Sequence, residues 1–251
     1  MKQYKLFTID AEGLHYKVLN EKIYDILIHN SDIQEIVLNN VCGQRYIATA
    51  IKKNVRIIIN GTPGNDLSAF MDGPEIIVNG NAQDVIGNTM NSGTIIVNGN
   101  AGDVVGYGMR GGKVYIKGDV GYRVGIHMKA YKEMFPVIII GGEAKDFLGE
   151  YMAGGLLIVL GLNKTKLPVG DFVGTGMHGG KIFIRAENID PLILGKEVQA
   201  ENLNTEDFNL LNKYLEEYCK IFNFNLNEIL NKPFLKLFPY THRPYGRLYA
   251  Y

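Results

Sequence analysis

Ile57-Ile58-Ile59-Asn60-Gly61, Ile76-Ile77-Val78-Asn79-Gly80, Ile95-Ile96-Val97-Asn98-Gly99 and Val114-Tyr115-Ile116-Lys117-Gly118 repeat one pattern four times. Their glycines stand 19 residues apart each time (80−61, 99−80, 118−99). Later copies end at Gly141 and Gly161, Ile182-Phe183-Ile184-Arg185 closes the series, and Ile36-Val37-Leu38-Asn39-Asn40 is a degenerate early copy. Eight rungs therefore enclose seven repeats. A period near 19 is too short for a propeller blade or a helix-pair repeat and fits one coil of a parallel β-helix. Coils stacked at the strand spacing place like residues on like, and seven would make a rod of roughly 34 Å.

A second ladder supports the register. Met71, Met90, Met109, Met128, Met152 and Met177 share one position, with Ala50 in the earliest copy. Four residues earlier stand Tyr46, Leu67, Ile86, Val105, Val124, Leu148 and Val173. Three residues before the Met stand Gly87, Gly106, Gly125, Gly149 and Gly174, with Ile47 and Ser68 in the first two copies. Of the chain's 30 glycines, 26 lie between Gly61 and Gly180, so they belong to the corners of the coils, where positive φ or close backbone approach is needed.

Strand periodicity of two sorts each rung into inside and outside. The ladders Ile36, Ile57, Ile76, Ile95, Val114, Val137, Leu157, Ile182 and Leu38, Ile59, Val78, Val97, Ile116, Ile139, Val159, Ile184 are assigned to the interior. The middle residues Val37, Ile58, Ile77, Ile96, Tyr115, Ile138, Ile158 and Phe183 then face out, and all are apolar. Such a stripe must be covered, which makes it the candidate interface, shared between the chain's own C-terminal helix and a partner. Insertions at 129–136 and 162–169 lengthen two coils and are expected as corner loops.

The flanks read as helical. His15–Asn30 carries Leu19, Ile23, Ile26 and Leu27 on one face and is expected to cap the first coil. After a linker at 187–201, Thr205 is expected to cap a helix running to Phe222, followed by a shorter one near Leu226–Leu230. The tail from Phe234 to Tyr251 is aromatic, and Pro239, Pro244 and Gly246 predict irregular structure. The expected organisation is an N-terminal cap (1–34), an all-β right-handed parallel β-helix (35–186) and a C-terminal flank (187–251).

Composition narrows the function. The chain has 251 residues, formal net charge +0 and 46% hydrophobic residues, so it carries a core and lacks the basic surface of a general nucleic-acid or anionic-membrane binder. Cys42 and Cys219 are the only two cysteines, too few for a cysteine-ligated iron–sulfur or zinc site and consistent with a cytoplasmic location. No apolar run approaches the roughly 18 residues of a membrane span, and no signal-peptide core is expected at the start.

Chemistry is sparse. Gly106-Tyr107-Gly108-Met109-Arg110-Gly111-Gly112 lacks the strand-before, helix-after context of a dinucleotide fingerprint. Asp84, Asp103, Asp146 and Asp171 share a repeat position; calcium binding is one reading and capping of backbone N–H groups at corners the preferred one. His15, His29, His127, His178 and His242 show no metal spacing, and the Met ladder reads as core filling rather than soft-metal ligation. Lys2 follows Met1, so an N-terminal cysteine nucleophile is not expected. No catalytic, cofactor-binding or metal residue is assigned.

The segments Gly87–Gly93, Gly106–Gly112 and Gly174–Gly180 resemble the GXGXG domain of glutamate synthase. So do Asp10–Tyr16, Cys42–Ala48, Pro63–Leu67, Gly121–Met128 and Arg243–Gly246, which match separately encoded versions of that domain. The resemblance implies a seven-turn right-handed β-helix and a non-catalytic coupling role in making glutamate from glutamine and 2-oxoglutarate. It places the glutaminase, FMN and iron–sulfur centres on partner subunits, with no cofactor here. A related β-helix occurs in the C subunit of formylmethanofuran dehydrogenase, which is the alternative; a free-standing β-helix hydrolase is a third reading.

Overall fold

The computed structural model describes residues 4–162 and 164–240. The strands are β1 (Leu6–Asp10), β2 (Glu35–Cys42), β3 (Arg56–Thr62), β4 (Asp72–Asn79), β5 (Ser92–Val97), β6 (Lys113–Ile116), β7 (Val137–Ile140), β8 (Ala153–Val159), β9 (Gly179–Ile184), β10 (Val198–Asn202) and β11 (Leu235–Pro239). Among the described residues three α-helices, α1 (Tyr16–His29), α2 (Thr205–Phe222) and α3 (Leu226–Leu230), flank them, with one short 3-10 turn at Pro191–Ile193. The strands form one sheet in the order β1-β2-β3-β4-β5-β6-β7-β8-β9-β11-β10. From β1 to β9 every pairing is parallel, which makes a solenoid of about six turns. That is close to the seven repeats counted in the sequence, and beyond β9 the stack is closed by antiparallel β11 and β10.

Register follows the sequence ladders where the period is 19. Ile57 pairs with Ile76, Ile76 with Ile95 and Ile95 with Val114. At β7 it departs. Val114 pairs with Ile138 and Ile116 with Ile140, so Ile138 and Ile140 point inside while Val137 and Ile139 point out. Ile138 is therefore not part of the outer stripe; Ile139 takes its place. The first coil also shifts by one. Ser68 N–H donates to the Ile47 carbonyl (2.8 Å) and Asp72 N–H to the Ile51 carbonyl (2.8 Å), which stacks Ile47 on Leu67 and Ile51 on Met71. Ile47 and Ile51 are buried, whereas Tyr46 and Ala50 are exposed. The small-residue column is then Ala48, Ser68, Gly87, Gly106, Gly125, Gly149 and Gly174, without the break at Ile47.

The corners use side chains to hold backbone. Asn60 Nδ2 donates to Asn39 Oδ1 (2.8 Å), Asn79 to Asn60 (2.8 Å) and Asn98 to Asn79 (3.1 Å), an amide ladder one coil per step. Asp84, Asp103 and Asp146 accept the N–H groups of Asp103, Tyr122 and Asp171 at 2.9, 2.9 and 3.0 Å, so this ladder caps backbone as expected.

The side of the coil carrying the glycine motif is not β-structure. Residues two apart take left-handed φ, as in Val85 (+63°), Gly87 (+68°) and Thr89 (+52°), or Phe147 (+62°), Gly149 (+70°) and Tyr151 (+51°). Such φ values are rare for non-glycine residues and rarest for β-branched ones. They persist because alternate N–H groups bond the coils above and below: Val85 N–H reaches the Asp103 carbonyl at 2.8 Å while Gly87 N–H reaches that of Leu67 at 2.9 Å. At the central position a side chain is also excluded by space: a Cβ on Gly149 would lie 2.7 Å from Ile182 Cδ1.

The flanks complete the core. Leu19 and Ile23 of α1 are buried in the solenoid's core cluster, with Ile26 and Leu27 packed against it. β1, unforeseen in the sequence, adds a parallel strand before the first rung, with Phe7 opposite Ile36 and Ile9 opposite Leu38. The cap of α2 is Asn204 rather than Thr205: its side chain accepts from Asp207 N–H (2.9 Å) in a capping box. The expectation of an irregular tail fails over Leu235–Pro239, which pairs as β11 with both β9 and β10. The linker similarly contributes β10. His242, Arg243–Gly246 and the last tyrosines lie outside the described residues.

Candidate interaction surface

The outer stripe is largely an internal surface. Leu211, Tyr214, Leu215, Tyr218, Cys219 and Phe222 recur every three or four residues along α2, which puts them on one face. They pack with Ile96, Tyr115, Ile139, Ile158 and Phe183 in a second hydrophobic cluster, separate from the solenoid interior. Tyr115, Ile158 and Phe183 are fully buried and Ile96 nearly so. Ile77 is half-buried against the same cluster, while Val37 and Ile58 are half-buried beyond it. Of the eight residues expected to form an interface, four lie beneath α2, Ile138 lies inside the coil, and only Val37, Ile58 and Ile77 keep accessible surface. An 18-residue helix reaches roughly 27 Å, too short to cover every rung.

Polar contacts fix the helix in place. Tyr218 O–H donates to the Ile116 carbonyl at 3.0 Å, and its ring meets that of Tyr115 edge-on, with centroids 6.1 Å apart. The Tyr115 hydroxyl is buried without a partner among the described residues. Burial pushes both phenols well above their ordinary range. Lys113 Nζ bonds both carboxylate oxygens of Glu217, at 2.8 and 2.6 Å. At the start of α2, fully buried Asp207 bridges Lys181 (2.5 Å) and Lys236 (2.7 Å), and Lys236 also pairs with Glu201 (2.5 Å). Burial alone raises the Asp207 carboxyl, but the two ammonium groups outweigh it and hold the carboxyl below its ordinary value.

A different side of the rod presents apolar surface. Tyr46, Phe70, Tyr107, Tyr151 and Phe172, all on the glycine-motif side, are between 40% and 52% exposed. His127 stacks on Tyr151 (5.2 Å, 11°) and meets Tyr107 edge-on (5.8 Å, 88°). Phe147 stacks on Phe172 (4.9 Å, 16°), with the Arg123 guanidinium 4.6 Å from the Phe147 ring centre and paired to Glu150. The sequence held a signal for this face: Phe70 and Tyr151 stand where Gly108 and Gly176 stand in other coils. Exposed aromatic side chains gathered on one side of a fold are the kind of surface that contacts other molecules.

Among the described residues no three His, Cys, Asp or Glu side chains gather as a metal site, and no helix is long and apolar enough to cross a membrane. The model of the GXGXG motif family, the domain family of glutamate synthase, matches residues 17–240. The chain belongs to the GXGXG family. A relative, the uncharacterized protein MJ1350 of Methanocaldococcus jannaschii, is 51% identical over all of this chain and 98% of its own length. Among solved structures, a chain of the formyltransferase/hydrolase complex (FhcABCD) from Methylorubrum extorquens, crystallised with methylofuran, superposes with a TM-score of 0.60. It is 22% identical, covering 73% of the GXGXG chain and 66% of its own, a likeness of fold alone.

Proposed function

We propose that this chain is the non-catalytic structural and coupling subunit of a split glutamate synthase in the cytoplasm. In this reading it joins a glutaminase and an FMN- and iron–sulfur-bearing synthase that form glutamate from glutamine and 2-oxoglutarate. The supporting observation is that one GXGXG domain occupies residues 17–240, so the described chain is almost wholly this domain. The aromatic face from Tyr107 to Phe172 and the uncovered Val37, Ile58 and Ile77 supply surface for partners. Seven right-handed coils, the hand favoured by parallel crossovers, and the division into cap, β-helix and C-terminal flank belong to the same proposal.

The likeness to a chain of the FhcABCD complex favours a second reading, a β-helix scaffold of the formylmethanofuran dehydrogenase C-subunit kind. Tagging the chain in its native host and identifying stoichiometric partners separates the two. Glutaminase and flavoprotein chains, with glutamate formation by the purified complex, support the first; formyl-transferring partners overturn it in favour of the second. A chain that purifies alone and hydrolyses a substrate overturns both.

A further inference from the structure

A cleft lies where the end of β9 meets the loop after Gly161 and the α2–α3 turn. It has two lobes, with volumes of about 480 and 280 Å³. The larger falls within the roughly 300–1,000 Å³ of small-molecule sites. Arg185 lines both lobes. Its Nε donates to the Ile229 carbonyl (2.8 Å), and its Nη2 to the Glu228 carbonyl (3.1 Å) and Asn231 Oδ1 (3.4 Å). These acceptors are all neutral, and Nη1 has no acceptor among the described residues. Partial burial lowers the guanidinium's pKa, and no carboxylate among the described residues lies within ion-pair distance of this half-buried charge.

More cations line the lobes. Lys164 is held by Asp119 (3.0 Å) and Glu143 (3.6 Å), whereas exposed Lys166 and Lys232 have no ion-pair partner among the described residues. The opposing carboxylates are Glu187, which is exposed, and Glu228, which accepts from Asn225 Nδ2 at 3.4 Å. Leu162, Phe224 and Ile229 form an apolar wall. We propose that this cleft binds a small organic anion, its phosphate or carboxylate head on Arg185, Lys166 and Lys232 and its apolar body against Leu162 and Phe224. A planar guanidinium already held at two nitrogens offers its third to an oxyanion with little further ordering, and charge-assisted bonds there are the strong kind. The site is independent of which enzyme the chain scaffolds.

The test is calorimetric titration of the full chain with phenyl phosphate, phenylacetate and inorganic phosphate. One of the two aromatic anions should bind saturably at one site, about tenfold or more tighter than inorganic phosphate, as burial of a ring predicts. The tighter of the two identifies the head group. The double variant Lys166→Gln/Lys232→Gln should melt like the parent and weaken binding about tenfold, the loss expected from charged hydrogen bonds. No saturable binding, no preference for the aromatic anions, or unchanged affinity in the double variant overturns the proposal.

Discussion

Changing Asp207 to Asn removes one charge from a buried cluster and leaves its shape intact. The carboxylate has no exposed surface, Lys236 is 8% exposed and Lys181 is 39% exposed. The exposed Lys181 contact contributes at most about 1 kcal/mol, because water screens it. The Lys236 contact matters more, since removing one partner of a buried pair costs about 3–5 kcal/mol. Lys236 keeps Glu201, itself 49% exposed, so the lower end applies: about 3 kcal/mol in total. Asn still accepts a hydrogen bond from Asn204 N–H, so the capping box largely cancels from the difference. Urea unfolding followed by far-UV circular dichroism should show a midpoint lower by about 1 M at pH 7. The pH dependence supplies a second check. The folded carboxyl titrates below its ordinary value, so its contribution is fully present above the unfolded pKa of about 3.9. It is lost as pH falls through the lower folded value, so the gap between parent and variant should close in acid. A loss under 1 kcal/mol at pH 7, or a gap that stays open at low pH, would refute this account of what fixes α2.

Val105→Asp or Ile116→Asp, each fully buried in the solenoid, should destabilise by several kcal/mol, read as a large drop in melting temperature or failure to express in soluble form. Deleting residues 205–251 removes α2 and β11, baring Tyr115, Ile158 and Phe183 and the edge of β9; light scattering should report self-association. Gly149→Ala combines a left-handed φ with a close approach to Ile182 and should cost about 2 kcal/mol in denaturant titrations. Val85→Asn should instead be neutral or stabilising by about 0.5–1 kcal/mol, because Asn tolerates the left-handed region that Val at φ +63° does not.

The parallel solenoid was readable from the chain because stacked coils superpose like residues, and a 19-residue period survives in a linear sequence. The Met, Asp and Asn ladders follow from the same stacking, as do the amphipathic faces of α1 and α2. The register at β7 was not readable. Val137-Ile138-Ile139-Ile140 satisfies an inside–outside alternation in either phase, and the insertion at 129–136 removes the spacing that would choose between them. In the first coil Tyr46-Ile47 and Ala50-Ile51 are equally ambiguous, and only the hydrogen bonds to the next coil select Ile47 and Ile51. β1 and β11 were hidden for another reason: an isolated five-residue strand has no repeat to announce it, and its partner is set by where the chain returns in space. The stripe marked a surface needing cover, but the helix that covers it is separated from Tyr115 by about a hundred residues, and pattern alone does not say how far it reaches. The aromatic side left only a partial trace in the repeat, at Phe70 and Tyr151, while the stacking of its rings across coils was decided by tertiary structure. The cleft at Arg185 was decided by tertiary structure alone, because it brings together side chains from β9, a loop and α3, and proximity of that kind depends on the three-dimensional path of the chain rather than on any local period.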